Sequence, residues 1–538
     1  MLHKIRNHLY LALVFTILSL AQQYGFYALK GFPIVWLSFG KYLGVLLTFF
    51  IFTFTPGQKL RLFILSYLLI LNFFQMAHLS FFGTQVLPSE IYLFFTEFKE
   101  ITGTVGNEFS HVLIPFLFTL IPMAIGFFFV KKLKETYALK TVPVLIALYF
   151  LYNPIRTSVT GNTWGRQPST KELAGMNMYL SMSYFAGKIL PQKMMAKQTA
   201  GVENESLKLR IDEFEATDWD NIIVILGESL TPHHMSLFGY ERQTTPFLDS
   251  LKSDPKFFST IGLSSGVSTD ISVAFLLNMG YGDAGGLKAA KGDNCLFKLA
   301  KRGDYSTHFL STQSAEQLRY IAPYLCTAYL DDYRNLENIS PSTLNHQAAI
   351  DREVLPKLDD LLVTNSKKFI MLHQRGSHSP WSLRYTAEAA KFKSEGADQR
   401  ISDYDNSVVE FDLFWKEFAA IMSKKKSKNL VIYLSDHGES VGENNRYGHG
   451  FLQPHAFEIP VLIMAFNQDL PAKTKDLPKF LPQYNVSLYL AQQIGWKTSQ
   501  SPFEKPKDFV IYGNDIDGFA GKANITFDEK SYKFKVVH

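Results

Sequence analysis

Val431-Ile-Tyr-Leu-Ser-Asp-His-Gly-Glu439 decides how the second half of this chain reads. Its apolar and small residues run without alternation, the pattern of a strand buried on both faces, and Asp436 and His437 come directly after. A carboxylate and an imidazole are both good ligands for a borderline cation such as Zn²⁺. Asn221-Ile-Ile-Val-Ile-Leu-Gly-Glu-Ser229 has the same plan: a buried strand, a glycine that lets the backbone turn, then the carboxylate Glu228. Two strands ending in ligands about 200 residues apart predict convergence at the carboxyl edge of one α/β sheet, where such sheets place their sites.

Around these two runs, strand-like segments recur at Ile222–Leu226, Ser306–Ser311, Lys368–His373, Leu430–Leu434 and Pro460–Ala465. The spacers are long enough for crossover helices, so residues 218–538 are expected to form one α/β domain. Between the two ligand-bearing strand ends lies Gly262-Leu-Ser-Ser-Gly-Val-Ser-Thr-Asp-Ile-Ser-Val273, which carries hydroxyls at Ser264, Ser265, Ser268, Thr269 and Ser272. A metal lowers the cost of ionising such a hydroxyl, making any of the five a candidate nucleophile; helix capping is the alternative role for each.

The first ~155 residues are rich in Leu, Phe and Ile, with stretches long enough to cross about 30 Å of hydrocarbon at about 1.5 Å per residue. A hydrophobic content of 47% and a mean hydropathy near zero average over these two unlike halves. Five spans are expected, at about Leu9–Leu29, Ile34–Thr55, Leu60–Phe81, Val112–Val130 and Thr141–Tyr152. Lys4 and Arg6, then Lys59 and Arg61, then Lys131, Lys132, Lys134 and Lys140 fall on alternate connections. That alternation puts the N-terminus in the cytoplasm and everything after about residue 153 outside. A cleaved signal peptide ending near Ser19-Leu20-Ala21 is the rival reading of the first span, and four further spans weigh against it.

Residues 82–111 are too polar to cross and read as an amphipathic stretch on the outer leaflet, an ordinary loop helix being the alternative. Residues 154–217 read as a bridge with interfacial helices, centred on Met176–Phe185. The expected organisation is therefore a transmembrane domain at 1–153, a bridge at 154–217 and a catalytic domain at 218–538. A net charge of +5 is small for 538 residues and implies no nucleic-acid partner; Lys424-Lys-Lys-Ser-Lys428 reads as a solvated loop. The only cysteines are Cys295 and Cys326, and in an oxidising compartment a disulfide between them is expected, with two buried thiols as the alternative.

Gly227-Glu-Ser-Leu-Thr-Pro-His-His-Met-Ser-Leu-Phe-Gly-Tyr-Glu-Arg-Gln-Thr-Thr-Pro-Phe247 resembles the opening motif of the bacterial phosphoethanolamine transferases. Gly376-Ser-His-Ser-Pro380, Ser435-Asp-His-Gly-Glu439 and Tyr447-Gly-His-Gly450 occur in that family's order. The resemblance implies five membrane helices and a periplasmic domain of the alkaline phosphatase and sulfatase type, in the bacterial inner membrane. It also implies one tightly bound Zn²⁺ held by Glu228, Thr269, Asp436 and His437, with Thr269 the nucleophile. His378 and His449 match histidines of phosphate binding, proton transfer or a second zinc, whereas His233, His234, His373 and His455 match nothing and are expected to be structural or on the surface.

The implied reaction moves phosphoethanolamine from phosphatidylethanolamine, the membrane lipid donor, to lipopolysaccharide or another envelope glycan. Ser229 where lipid A enzymes usually have Thr, only two cysteines, and Glu458 where many carry a nearby His make the chain look more like the branch acting on core sugars than that acting on lipid A. A glycerol phosphate transferase of the lipoteichoic-acid type and an inactive membrane sensor are the alternatives. A sulfatase proper would need a Cys or Ser nucleophile in a C/S-x-P-x-R setting, which is missing around Thr269.

Overall fold

The computed structural model describes residues 2–32, 34, 36–96, 109–133, 139–160, 173–191, 209–282, 292, 294–340, 351–364, 366–393, 398–507, 509–515, 521–528 and 530–537. The chain divides into two compact units, Met1–Thr199 and Ala200–His538.

The first unit is helical: α1 (Leu2–Lys30), α2 (Phe39–Phe52), α3 (Gln58–Phe82), α4 (Pro88–Thr96), α5 (Phe109–Val130), α6 (Val142–Thr160) and α7 (Ala174–Tyr184). Four of these helices, α1, α3, α5 and α6, are long and apolar enough to cross a membrane. The expected second span is helical only from Phe39; its 14 residues reach about 21 Å, less than a hydrocarbon core. The expected fifth runs on to Thr160 through Pro154 instead of ending at Tyr152. Of the stretch expected to lie on the outer leaflet, α4 covers the start, and residues 97–108, like Lys134 in the basic loop, lie outside the described residues.

The patch at Met176–Phe185, expected to be interfacial, falls on α7 and the turn after it, and residues of and beside it have hydrogen-bond partners within this unit. The Ser181 hydroxyl donates to the Val86 carbonyl at 2.8 Å, the Tyr179 hydroxyl to the Tyr149 carbonyl at 2.8 Å, and the Ala174 amide to Gln23 Oε1 at 2.9 Å. Leu117, Ile121, Leu145, Leu148 and Ile155 stay exposed, as helices meeting lipid require.

The second unit is built on an eight-stranded sheet in the order β11-β3-β10-β7-β2-β6-β4-β5. These strands are β2 (Asn221–Gly227), β3 (Phe257–Leu263), β4 (Ser306–Ser311), β5 (Asp332–Arg334), β6 (Lys368–His373), β7 (Asn429–Ser435), β10 (Glu458–Phe466) and β11 (Leu481–Pro482). The short strands β1 (Ile211–Phe214) and β12 (Trp496–Thr498) pair with each other, as do β8 (Ser440–Val441) and β9 (Tyr447–Gly448). At the end of the chain β13 (Phe509–Tyr512), β14 (Lys522–Phe527) and β15 (Tyr532–Val537) form a separate antiparallel sheet.

In the large sheet β2 is central and parallel to both β6 and β7, while β10 is antiparallel to β7 and β3. The apolar run of β2 serves both faces: Ile222, Val224 and Leu226 join one core, Ile223 and Ile225 the other. The first core includes α8 (Thr269–Asn278) and α10 (Gln483–Ile494), the second α9 (Gln399–Met422). Covered on both faces, β2 and β7 read as unbroken apolar segments. Cys295 and Cys326 are joined by a disulfide.

Candidate active site

Strands β2, β3, β4, β6 and β7 all end at one edge of the sheet, and β10 begins there. Glu228 comes directly after β2, Thr269 after β3 and a five-residue loop, and Asp436 and His437 directly after β7. Since Gly227 lies opposite Ser435 in the β2–β7 register, Glu228 and Asp436 emerge side by side.

Tight backbone packing fixes the turns. Gly376 has φ 55°, and a Cβ there would stand 2.5 Å from the Glu228 carbonyl; one on Gly438 would stand 2.2 Å from the His455 carbonyl. Ser229 is also left-handed, at φ 56°, held by its amide donating to Asp436 Oδ1 at 3.1 Å and by the Tyr404 hydroxyl donating to its carbonyl at 2.8 Å. That conformation suits Ser better than a β-branched Thr, a physical reason for Ser229 at this position.

At the centre, Nε2 of His437 lies 3.3 Å from Glu228 Oε1 and 3.4 Å from Asp436 Oδ2, all three side chains being buried. The Nδ1 proton of His437 donates to the Gly438 carbonyl at 2.9 Å, which turns the Nε2 lone pair toward the carboxylates. Asp436 Oδ1 accepts the amides of Ser229 at 3.1 Å and His437 at 2.7 Å, whereas Oδ2 is buried without a hydrogen-bond partner among the described residues. An orphaned carboxylate oxygen beside an imidazole lone pair is the donor set of a divalent cation, and Glu228, Asp436 and His437 fit one.

Electrostatics give the same picture. Burial, then the neighbouring Glu228, pushes the Asp436 carboxyl up to about 7. For Glu228, burial alone would raise the carboxyl, but His437, with His378 and His449 behind it, holds it well below its usual range. Burial likewise opposes a charge on His437, yet Asp436 and Glu228 raise it to about 10. Two buried carboxylates thus demand a positive charge between them, which a proton on His437 or a metal ion supplies.

Thr269 Oγ1 lies 3.2 Å from Glu228 Oε2 and 3.4 Å from His437 Nε2. The other candidate hydroxyls are turned elsewhere: Ser264 and Ser272 donate to the Gly266 carbonyl at 2.7 and 3.1 Å, and Ser268 to Asp270 at 2.6 Å. Ser265 Oγ is buried and unpartnered among the described residues. Thr269 is also the first residue of α8, whose N-terminal amides favour an anion beside it.

His449 stacks against His437 with ring centroids 4.0 Å apart, and its Nδ1 donates to Glu439 at 3.0 Å. His437, Glu439 and His449 are a second group whose donor atoms lie close enough together to share a cation. His378 Nδ1 is 2.6 Å from the Ser379 carbonyl, and its charge is felt by Glu228.

Of the histidines without a matching motif, His234 is buried, its ring nitrogens 2.7 Å from Asp405 and 3.3 Å from Glu443. His233 is 2.7 Å from Glu458 and faces His455, ring centroids 4.2 Å apart. His373 is buried at the end of β6, and burial pushes its imidazole down to about 4. Sequence reading passed over Gln313, which donates to Glu228 Oε2 at 3.2 Å, and gave Glu439 no role. The signal for Gln313 was its place two residues beyond β4, on the edge where the other strands deliver their ligands.

The sulfatase family model matches residues 220–481. A Kdo(2)-lipid A phosphoethanolamine 7''-transferase of Salmonella typhimurium is 30% identical over 258 residues, 45% of this chain and 44% of that protein. The phosphoethanolamine transferase EptA of Helicobacter pylori is 24% identical over 397 residues, covering 68% of this chain and 71% of that one. Among solved structures, the full-length lipooligosaccharide phosphoethanolamine transferase A of Neisseria meningitidis aligns with a TM-score of 0.55 at 16% identity, over 93% of this chain and 97% of that chain.

The match to the sulfatase family model is confined to the α/β unit, and the curated relatives of this chain include phosphoethanolamine transferases. The fold, apolar helices followed by an α/β domain, is that of the Neisseria protein. The chain spans about half the length of the first relatives it matches, 44% of the Salmonella protein and 53% of its Escherichia coli counterpart.

Proposed function

We propose that this protein transfers phosphoethanolamine from phosphatidylethanolamine to a glycolipid of the bacterial envelope, through a covalent ester on Thr269. The observation carrying this reading is that the Thr269 hydroxyl reaches both Glu228 and His437, whereas Ser264, Ser268 and Ser272 are turned to local acceptors. The names of the homologues supply the transferred group.

In this reading Glu228, Asp436 and His437 hold one Zn²⁺, with Thr269 beside it. Zinc bound there would lower the pKa of a neighbouring hydroxyl and offset charge on the phosphoryl oxygens. The Thr269 hydroxyl gives its proton to Glu228 Oε2, 3.2 Å away, and its oxygen forms a bond to phosphorus as the bond from phosphorus to the diacylglycerol oxygen breaks. The departing oxygen takes a proton from an imidazolium, His378 or His449. An acceptor hydroxyl then gives its proton back to that imidazole and bonds to phosphorus, and the Thr269 oxygen leaves and takes its proton back from Glu228. The first amides of α8 and the cationic histidines stabilise the negative charge in both displacements.

The membrane helices confine enzyme and lipid donor to one bilayer, which raises their effective concentration. The location this implies is the inner membrane, with the α/β domain on the periplasmic side. A second zinc would find His449 and Glu439 with His437, a somewhat different set from the pair His378 and His449 expected from the motifs.

Mass spectrometry of envelope glycolipids from cells with and without the gene tests the reading. A phosphoethanolamine substituent that disappears with the gene is expected. Unchanged glycolipids, or loss of a glycerol phosphate substituent, would contradict it.

A further inference from the structure

Gln313 is almost fully buried, and its side-chain nitrogen is surrounded by acceptors. Nε2 lies 3.2 Å from Glu228 Oε2, 3.1 Å from the Gln374 carbonyl and 3.4 Å from His373 Nε2. An amide oxygen turned that way would meet only lone pairs, so the NH₂ group must face them.

His373 accommodates this choice. Its Nδ1 lies 3.0 Å from the Ser311 hydroxyl, and the imidazole is neutral because burial pushes it down to about 4. Because the Glu228 carboxylate and the Gln374 carbonyl already require the NH₂ of Gln313 on this side, His373 Nε2 accepts from it and the ring proton lies on Nδ1, toward Ser311. The Ser311 hydroxyl in turn accepts the Gln313 amide at 3.1 Å, which fixes the stem of the same side chain. A closed chain of contacts therefore runs Ser311–His373–Gln313–Glu228, drawn from the ends of β4, β6 and β2.

We propose that Gln313 is a positioning residue for the metal. It pins Oε2 of Glu228, so that the carboxylate presents only Oε1 toward the ion, on the side where Oε1 lies 3.3 Å from His437 Nε2. The proposal rests on reading Glu228 as a metal ligand. Hydrogen-bond partners of this kind, one step removed from the ion, are worth about 10- to 100-fold in metal affinity.

The test uses full-length protein in detergent, with zinc affinity measured by chelator competition and the visible spectrum of the cobalt-loaded form as a second readout. Gln313→Met keeps the length but removes both donors. It should weaken zinc by about 10- to 100-fold and alter the cobalt spectrum, while the metal-free protein melts within a few degrees of wild type. Gln313→Leu, which also lacks a donor and buries no charge, should act in the same direction and serves if the Met variant does not fold.

Wild-type affinity and an unchanged cobalt spectrum in both variants would overturn the proposal. If Glu228→Ala lowers affinity while the Gln313 variants do not, only the positioning role fails. If Glu228→Ala itself binds zinc like wild type, the reading of the metal site fails and takes this inference with it.

Discussion

Oδ2 of Asp436 lies 3.4 Å from Nε2 of His437, with no hydrogen-bond partner of its own among the described residues. Two buried acceptor atoms facing each other in this way are costly unless a cation joins them. The cost should appear as a difference between metal-free and zinc-loaded protein. Asp436→Ala removes a ligand, so it should abolish tight zinc binding and the stabilisation that zinc provides, about 4 kcal/mol at a free zinc concentration of about 1,000 times Kd. The same substitution leaves the buried Ser229 and His437 amides without the Oδ1 acceptor they hold at 3.1 and 2.7 Å, so the metal-free protein should lose about 1–3 kcal/mol as well. Melting curves with and without zinc check both halves.

Gly438 offers a test of the scaffold. A Cβ at this position would stand 2.2 Å from the His455 carbonyl, in the helical turn before β10, and 2.6 Å from that of Glu458, the first residue of β10. Gly438→Ala should therefore destabilise the protein by about 1–3 kcal/mol and reduce zinc content by shifting His437. Denaturation coupled to metal analysis reads the two effects.

Outside the metal cluster, Glu443 gives a stability dependence on pH. Burial would raise its carboxyl, but His234 and then His455 lower it to about 2. A carboxyl lowered in the folded state contributes stability that is fully present above its unfolded pKa of about 4.5 and is lost as pH falls through the folded value. Glu443→Gln should thus cost most stability near neutral pH, the gap to wild type closing between about pH 4.5 and 2. Melting temperatures of both proteins across that range are the measurement, and a gap that widened on acidification would refute the assignment.

How much of this was legible in the sequence depended on whether a residue sat inside a pattern with one physical meaning. Asp436, His437 and Glu228 did, because an unbroken apolar run such as Val431–Leu434 has few fates other than a buried strand, and the residues just past its end land at the sheet edge. β3 did not. Its sequence Phe257-Phe-Ser-Thr-Ile-Gly-Leu263 mixes polar and apolar residues, and its place came from pairing with β10 some 200 residues away.

Among the hydroxyls of the loop after β3, composition could not choose. Packing turns Ser264, Ser268 and Ser272 toward local acceptors, and of the five hydroxyls it is that of Thr269 that has Glu228 and His437 as partners among the described residues. The motif resemblance had named Thr269 on other grounds. Gln313 belongs to no motif, and its one signal, a place two residues beyond β4, gains meaning only from β4 being two strands from β2 in the sheet. In the helical unit, hydropathy found the spans but not their ends, since Val142–Thr160 continues through polar residues and Pro154 that a hydropathy window discounts.

The covalent step on Thr269 is the centre of the account, and the most direct measurement is the intact and peptide mass of purified protein incubated with phosphatidylethanolamine and no acceptor. One phosphoethanolamine group should appear on the peptide bearing Thr269, with release of an equal amount of diacylglycerol, because the attacking oxygen sits 3.4 Å from His437 Nε2 at the start of α8. Thr269→Ala should show no adduct and unchanged folding, while Thr269→Ser should retain a fraction of it. An adduct on Ser229, Ser268 or Ser272 in the wild-type protein, or one formed from phosphatidylglycerol but not from phosphatidylethanolamine, would contradict the account.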